Sequence, residues 1–361
     1  MKRWLPVPWL VVASCAGPVP LPEQIAADET PGPPAGREAE AAALAKGQEA
    51  LEWIERGVFD RARAAAEAAL DRDPRCVAAR IARARCLMHA ARSEDPPALR
   101  PWRQAEGELL IAERLAPDEP AVQLARAAFL TSDGHLSAAV ECLDKALLRQ
   151  PRHVGLLREA ARLRYELGEE RAAAELLVRL LGEAPAETAA MFQLAQCRLR
   201  IAGSLREDQQ KERQEQLLAA RRLFSDYRRL QPADADGLLG EAYARFELAR
   251  TLGAATVRQE GDEIVQLYRL AAALRDLSPE PQFGLGLVQE ELGRLAEAEK
   301  GYQSALRLDP NHVPSLLNLA SLLAKSGRHV EAKALAERSL RLELTPSERR
   351  EISRYVGTGS R

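Results

Sequence analysis

The chain has 361 residues, enough for two or three ordinary domains or for one extended array. Its 51 Lys and Arg nearly balance 53 Asp and Glu, for a formal charge of −2, which excludes the basic excess expected of a nucleic-acid binder. Aromatic residues are only 4%, and Ala, Leu, Arg and Glu dominate. These are good helix formers, β-branched runs are nearly absent, and the composition predicts an all-α protein. No run of ~18 or more uninterrupted apolar residues occurs, so there is no ordinary transmembrane helix.

The first element in chain order is a leader. Lys2 and Arg3 give a short positive start, and Trp4 to Ser14 form an apolar stretch interrupted by Pro6 and Pro8. It is too short to span a bilayer and has the layout of a secretory signal. It ends in Val12-Ala13-Ser14-Cys15, which resembles the lipobox of bacterial lipoproteins. The resemblance implies that residues 1–14 are removed and that Cys15 becomes a lipidated first residue. Several acyl chains on one residue would hold it stably in a membrane, where one chain binds only marginally. Ala16, in place of Asp, is what the enterobacterial sorting rule expects for the outer rather than the inner membrane. An ordinary cleaved signal, with Cys15 incidental, is the plainer alternative.

Residues 15–38 follow as a Pro/Gly-rich tether, with Gly17, Pro18, Pro20, Pro22, Pro31 and Gly32 and no helical periodicity. At ~3 Å per residue, about 20 such residues reach up to roughly 60 Å.

From residue 39 to 346 the chain repeats itself. The stretch from Pro279 to Pro310 places Gly286 at position 8, Leu292-Gly293 at 14 and 15, Ala298 at 20, Tyr302 at 24, Ala305 at 27 and a closing proline at 32. Small residues at these offsets suit two antiparallel helices that cross closely, and the large ones fill the space between neighbours. The pattern resembles the tetratricopeptide repeat (TPR). It recurs as Gly57, Ala62, Ala69 and Pro74; as Gly134, Ala139, Ala146 and Pro151; as Gly168, Ala173 and Pro185; and as Leu319, Ala320, Gly327 and Ala332. Closing prolines fall at 74, 117, 151, 185, 232, 279 and 310, and two of the intervals equal the 34-residue TPR period. The resemblance implies about eight helix pairs in a right-handed α-solenoid. Thr345-Pro346-Ser347-Glu348 then reads as a helix start, giving a short capping helix and tail over 347–361.

Repeats two, five and six are longer than the period. Their extra residues fall between the first and second helix, in ARSEDPPALRP, GSLREDQQKERQEQ and TLGAATVRQEGDE. They are expected as surface turns on one rim.

Chemistry-bearing motifs are missing from the pattern. His89, His135, His153, His312 and His329 form no HExxH and no metal-ligand spacing, so no metal or cofactor is expected. His153 and His312 end their repeats and read as solvated loop residues. GLGLVQEELG lies inside a repeat helix with no strand before it, and so is no nucleotide loop. Cys76, Cys86, Cys142 and Cys197 read as buried thiols. With leader, tether and repeats subtracted, no length remains for a catalytic domain.

In TPR proteins the first helices line a groove that takes a partner peptide or helix. Carried over, positions 2, 5, 6, 9, 12 and 13 make Arg158, Arg162, Tyr165, Phe192, Gln193, Gln196, Tyr243, Phe246, Phe283 and Asn318 the candidate partner-binding residues. The Lys and Asn that grip a terminal carboxylate in the chaperone-binding branch are replaced here by Arg158 and Arg162, and by Phe192 and Gln196. The expected function is a non-enzymatic protein-interaction scaffold, lipid-anchored through Cys15 on the periplasmic side of a bacterial envelope. Its partner would be a protein or peptide of unknown identity, not a nucleic acid. The alternative is an exported or cytoplasmic adaptor without the anchor.

Overall fold

The computed structural model describes residues 35–93, 98–275 and 277–356. Cys15, the 1–14 leader and most of the tether lie outside them. The described residues form seventeen α-helices, one 3-10 turn and no strand.

The chain divides into two compact units, meeting in sequence between Glu183 and Ala184. The first holds four helix pairs: α1 (Arg37–Glu55) with α2 (Phe59–Arg72), α3 (Val77–Arg92) with α4 (Leu99–Leu115), α5 (Pro120–Ser132) with α6 (Leu136–Arg149), and α7 (Val154–Glu166) with α8 (Glu170–Glu183). The second holds four more: α9 (Thr188–Ser204) with α10 (Gln210–Leu230), α11 (Ala235–Leu252) with α12 (Ala254–Leu274), α13 (Pro279–Glu291) with α14 (Leu295–Leu308), and α15 (Val313–Lys325) with α16 (His329–Ser339). A final helix, α17, spans Pro346–Val356. The eight expected pairs and the terminal helix are all present. Within each unit, every second helix packs on its own first helix and on the first helix of the next pair.

The turn inside a regular pair is one motif used five times. In α1, Gly57 takes φ +74°. Its N–H donates to the Ile54 carbonyl at 3.0 Å, and the Val58 N–H reaches back to Trp53 at 2.9 Å. This pair of bonds satisfies the last carbonyls of the helix and needs a left-handed residue, which glycine adopts without a Cβ clash. Gly134, Gly168, Gly293 and Gly327 repeat the conformation, and in each case the residue after the glycine closes the longer bond at 2.8–2.9 Å. Between pairs, an aspartate before or at the turn takes over. Asp73 accepts from the Arg75 N–H and Asp309 from the Asn311 N–H, both at 2.9 Å, each flanking a proline.

Close crossing is enforced by the smallest side chains. A Cβ added at Gly301 would lie 2.7 Å from the Gly286 nitrogen and 2.8 Å from its Cα. One at Gly47 would lie 2.9 Å from the Ala79 nitrogen. Ala298, Ala305 and Tyr302 complete the same crossing, all fully buried. Leucines on the apolar stripes, such as Leu156, Leu157 and Leu163, are also fully buried. Each such side chain contributes on the order of 2 kcal/mol by leaving water.

The long repeats depart from the expected loops. In the regular repeats first and second helices run to 13 and 14 residues, as in α5 and α6, except for α1 with 19 and α16 with 11. By contrast α9 has 17, α10 has 21, α11 has 18 and α12 has 21. The extra residues continue the helices in place of a loop. In repeat six only Gly253, at φ +113°, separates α11 from α12. In repeat five a bend and the 3-10 turn Glu207–Gln209 separate α9 from α10. The reason is local: LREDQQKERQEQ and AATVRQEGDE are rich in good helix formers, and adding a helical turn costs less than ordering an irregular loop.

The terminal helix begins as expected. The Glu348 N–H donates to Thr345 Oγ1 at 3.3 Å, and Thr345 N–H and hydroxyl both donate to Glu348 Oε2 at 2.7 Å. This is a reciprocal capping box with proline at the first helical position. Ile352 is fully buried against Leu317 and Ala336.

Candidate functional site

The first helices touch one another within each unit: α1 to α3, α3 to α5 and α5 to α7, then α9 to α11 and α11 to α13. They form a wall in each unit, and the expected partner-binding residues are distributed over both walls.

In the first unit, α7 carries three of them. Arg158 is exposed, while Arg162 and Tyr165 are half-buried. Arg162 is held by its own helix: its Nε donates to Glu159 at 3.0 Å and its Nη1 to Glu166. These spacings of three and four residues place acid and base on one face. The Glu159 hydrogen bond, with help from both carboxylates, raises the Arg162 pKa further. Arg162 is thus neutralised at home and is a poor free anchor for an acidic partner.

In the second unit, the aromatic candidates separate. Phe246 is only 1% exposed and belongs to the core with Leu238, Ala242, Ala249 and Tyr268. This corrects the expectation: Phe246 does not face a partner. Positions 242, 246 and 249 are four and three residues apart and share one apolar stripe, so the helix turns Phe246 inward. Phe192 and Phe283 are half-buried. Phe192 packs edge-on against Phe224 at 5.6 Å and beside Tyr227 at 5.2 Å. Phe283 lies 5.9 Å from Tyr302 and 5.3 Å from the His312 ring. Both serve packing first. Tyr243, on the neighbouring stripe of α11, is 44% exposed. Partial burial, then nearby Glu247, pushes its phenol pKa up, so it stays protonated and can donate.

The amides behave differently. Gln193, Gln196 and Asn318 are half-buried, and among the described residues none of their side chains makes a hydrogen bond. None has a fully buried unsatisfied amide atom either, so these groups meet solvent. The charges around them hold one another. Arg250 reaches Glu247 at 2.9 Å and Glu291 at 3.4 Å, joining α11 to α13. Lys325 reaches Glu290 at 3.1 Å, joining α15 to α13, and Glu290 also accepts from the Tyr302 hydroxyl at 2.8 Å.

Two features were missed in the sequence. Glu108 is 3% exposed and receives Arg80 at 2.8 Å and Arg83 at 3.0 Å. Glu241 is fully buried and receives Arg228 at 2.7 Å and Arg245 at 3.1 Å. The available signal was an acid set within an apolar stripe, as in Leu238-x-x-Glu241-Ala242. A cleft of about 650 Å³ also opens in the first unit, bounded by Glu113, Gln123, Leu130, Cys142 and Leu148.

The histidines need a second correction. His153 and His312 are half-buried and sit at helix N-caps, not in solvated loops. His153 Nδ1 accepts from the Leu156 N–H at 3.2 Å, and His312 Nδ1 lies 2.8 Å from the Ser315 hydroxyl. At His153 the imidazole replaces the usual Ser or Asp acceptor, whereas the His312 ring makes no bond to a helix N–H. Three of the four thiols follow expectation, with Cys76, Cys86 and Cys197 buried, while Cys142 is half-buried. Burial pushes Cys86 up to about 11, which leaves it unreactive as a nucleophile. Among the described residues no group of three or more His, Cys, Asp or Glu is placed to hold a metal, and no helix is long and apolar enough to cross a membrane.

Residues 44–95 and 289–345 match family models described as tetratricopeptide repeat. The chain carries tetratricopeptide repeats. The two TPR matches cover α1 to α3 and the last pairs of the second unit. A 59-residue stretch is 41% identical to the probable biofilm formation methyltransferase WspC of Pseudomonas aeruginosa, covering 16% of this chain. The match spans only 14% of that relative's length. Among solved structures, a tetratricopeptide repeat protein from Parabacteroides merdae aligns over 88% of this chain and 100% of its own, with 12% identity and a TM-score of 0.48. A thermophilic TPR protein of Thermus thermophilus aligns over 56% of this chain and 97% of its own, with 24% identity and a TM-score of 0.40. YrrB, described as a TPR protein with an unusual peptide-binding site, aligns over 58% and 95%, with 15% identity and a TM-score of 0.44.

Proposed function

We propose that this TPR chain is a non-enzymatic interaction scaffold, tied by a lipidated Cys15 to the periplasmic side of a bacterial envelope, outer rather than inner membrane. There its first-helix walls hold a partner protein and support assembly of an envelope complex. The observation that carries the binding half is the wall of the second unit. It presents Tyr243 and three amides without intramolecular partners, on a rigid stack of helices. Rigid placement of contact groups lowers the ordering cost of association. The anchoring half rests on the sequence Val12-Ala13-Ser14-Cys15 behind a charged and then apolar start.

The match to a probable methyltransferase is 59 residues long, less than two 34-residue repeats. It fits a shared repeat, and no transfer activity is carried over. Cell fractionation of the full chain tests the anchor. The wild type should pellet with membranes and incorporate labelled palmitate, and Cys15→Ser should lose both. Retention of the variant in the membrane pellet would sink the lipid anchor. Photo-crosslinking from Tyr243 in intact cells tests the wall: a discrete adduct is expected there and none from the fully buried Tyr268. An adduct-free Tyr243 would remove the wall as the binding face.

A further inference from the structure

We infer that the edge of the first unit where its first two helix pairs turn, with Trp53, Val58, Leu99 and a set of unpaired arginines, lies on a surface of anionic phospholipids. This contact is separate from Cys15 and from the first-helix walls, and so goes beyond the proposed scaffold role.

The first argument is the distribution of charge. Residues 56–103 hold eleven Arg, no Lys and six Asp or Glu, a net +5 in a chain of −2. The rest of the chain therefore carries −7. Extending the count back through Glu52 and Glu55 at the end of α1 still leaves +3. Arg61, Arg63, Arg85, Arg92 and Arg100 are exposed and have no carboxylate partner among the described residues. Elsewhere in the unit arginines are bound to local acids, as Arg149 is to Asp118, Arg162 to Glu159 and Arg164 to Asp144.

The second argument is placement. Helices α1 and α3 end at this edge, and α2 and α4 begin there. Arg56 and Arg61 both lie over the Trp53 ring, at 5.2 and 4.8 Å from its centre. Phe59 stacks on His89 with 3.7 Å between ring centres, joining the first pair to the second. Arg92 lies 6.0 Å over Trp102, whose indole N–H donates to Asp133 of the next turn at 3.0 Å. Two guanidinium groups on one ring repel each other, and a phosphate between them would relieve that repulsion with charge-assisted hydrogen bonds.

The third argument separates a lipid surface from a nucleic acid. Single strands are held by bases stacked on open aromatic faces. Here Trp53 is covered by two arginines, Phe59 by His89, and Trp102 is 9% exposed. What the edge does offer between its cations is apolar surface, with Val58 36% and Leu99 40% exposed. Tryptophan and arginine, each with an apolar body and a polar tip, suit the boundary between headgroups and acyl chains. Reach is no obstacle. The 19-residue α1 is about 28 Å long, and the tether before it extends up to roughly 60 Å.

The test is sedimentation of the full chain with vesicles of phosphatidylcholine alone, and of phosphatidylcholine with about one third phosphatidylglycerol. The readout is the ratio of the two partition coefficients, in which the contribution of the leader is common to every variant. The wild-type ratio should be on the order of a hundred at low salt and should fall below about five at roughly 0.5 M salt. Arg63→Gln, Arg85→Gln and Arg100→Gln together, at about fivefold each, should bring it close to one. Thermal melting should not change, since none of the three is paired within the fold. Arg222→Gln with Arg258→Gln, in the second unit, should leave the ratio as it is. Val58→Ser with Leu99→Ser should weaken binding to the anionic vesicles about fivefold at constant charge. A wild-type ratio near one, full binding by the triple variant, or an equal loss in the second-unit variant would overturn the inference. So would displacement of the vesicles by a single-stranded oligonucleotide at equal phosphate concentration, which would reassign the edge to nucleic acid. Palmitate labelling of Cys15 and crosslinking from Tyr243 are unaffected by any of these results, so the scaffold reading stands or falls separately.

Discussion

Regular and long repeats solve the same packing problem with different means. Repeats one, three, four, seven and eight turn on a left-handed glycine, and apart from the 19-residue α1 their helices have 11 to 14 residues. Repeats two, five and six have lengthened helices. Among the described residues, the fully buried helical charges sit in the long repeats: Arg80 and Glu108 in repeat two, and Glu241 in repeat six. Each of these carboxylates receives two guanidinium groups. The regular repeats fix their crossing by steric fit of glycine and alanine. In the long ones buried ion triads are added, one tying α4 to α3 through Glu108 and one tying α11 to α10 through Glu241. Buried charges serve that purpose best when fully partnered, since any unpaired member is costly.

That contrast can be broken most forcefully at the triads. Glu108→Ala leaves Arg80, itself only 5% exposed, without its carboxylate and should destabilise the α3–α4 pair by about 3–5 kcal/mol. Amide hydrogen exchange in those helices is the readout. Protection equal to wild type would show that the triad does not hold the register. A smaller effect is expected at the glycine crossing. Gly301→Ala must push α13 and α14 apart and should cost about 1–3 kcal/mol in chemical denaturation. Gly182, in α8, has open space around its missing Cβ, and Gly182→Ala should stabilise by up to about 1 kcal/mol. Equal effects at the two sites would refute the steric account.

The smallest expected effect is a pH dependence. Burial lowers the His312 pKa below its ordinary 6.5, while Glu280 and Asp309 oppose the shift more weakly. The unfolded chain therefore binds the proton more readily. The stabilisation is present above pH 6.5 and is lost as pH falls through the lowered folded value. The melting temperature of the wild type should drop more steeply below pH 6.5 than that of His312→Asn, whose amide is a favourable N-cap residue and does not titrate. Parallel profiles would show that His312 is not the titrating group.

Much of the fold was legible because its signals are local. Closing prolines, turn glycines and the Thr345–Glu348 box each act through the backbone of a few residues, and each lies where the sequence placed it. The path of the insertions was not legible. The extra length alone reads as a loop, whereas the helix formers within GSLREDQQKERQEQ carry most of it into α10, with only a bend and the 3-10 turn before it. The candidate wall was legible by position but not by orientation. A 3.6-residue period keeps Tyr243 exposed and turns Phe246 inward only three residues later, a distinction of one helical stripe. The amides stood out only once the charges beside them were seen to be mutually satisfied.

The terminal helix has a consequence for solubility. Within each unit a pair covers the apolar face of the pair before it, and α17 does the same for α15 and α16 with a single buried side chain, Ile352, set on Leu317 and Ala336. Its outward side carries Arg349, Arg350 and Arg354, so an apolar face that would otherwise meet water is exchanged for a charged one.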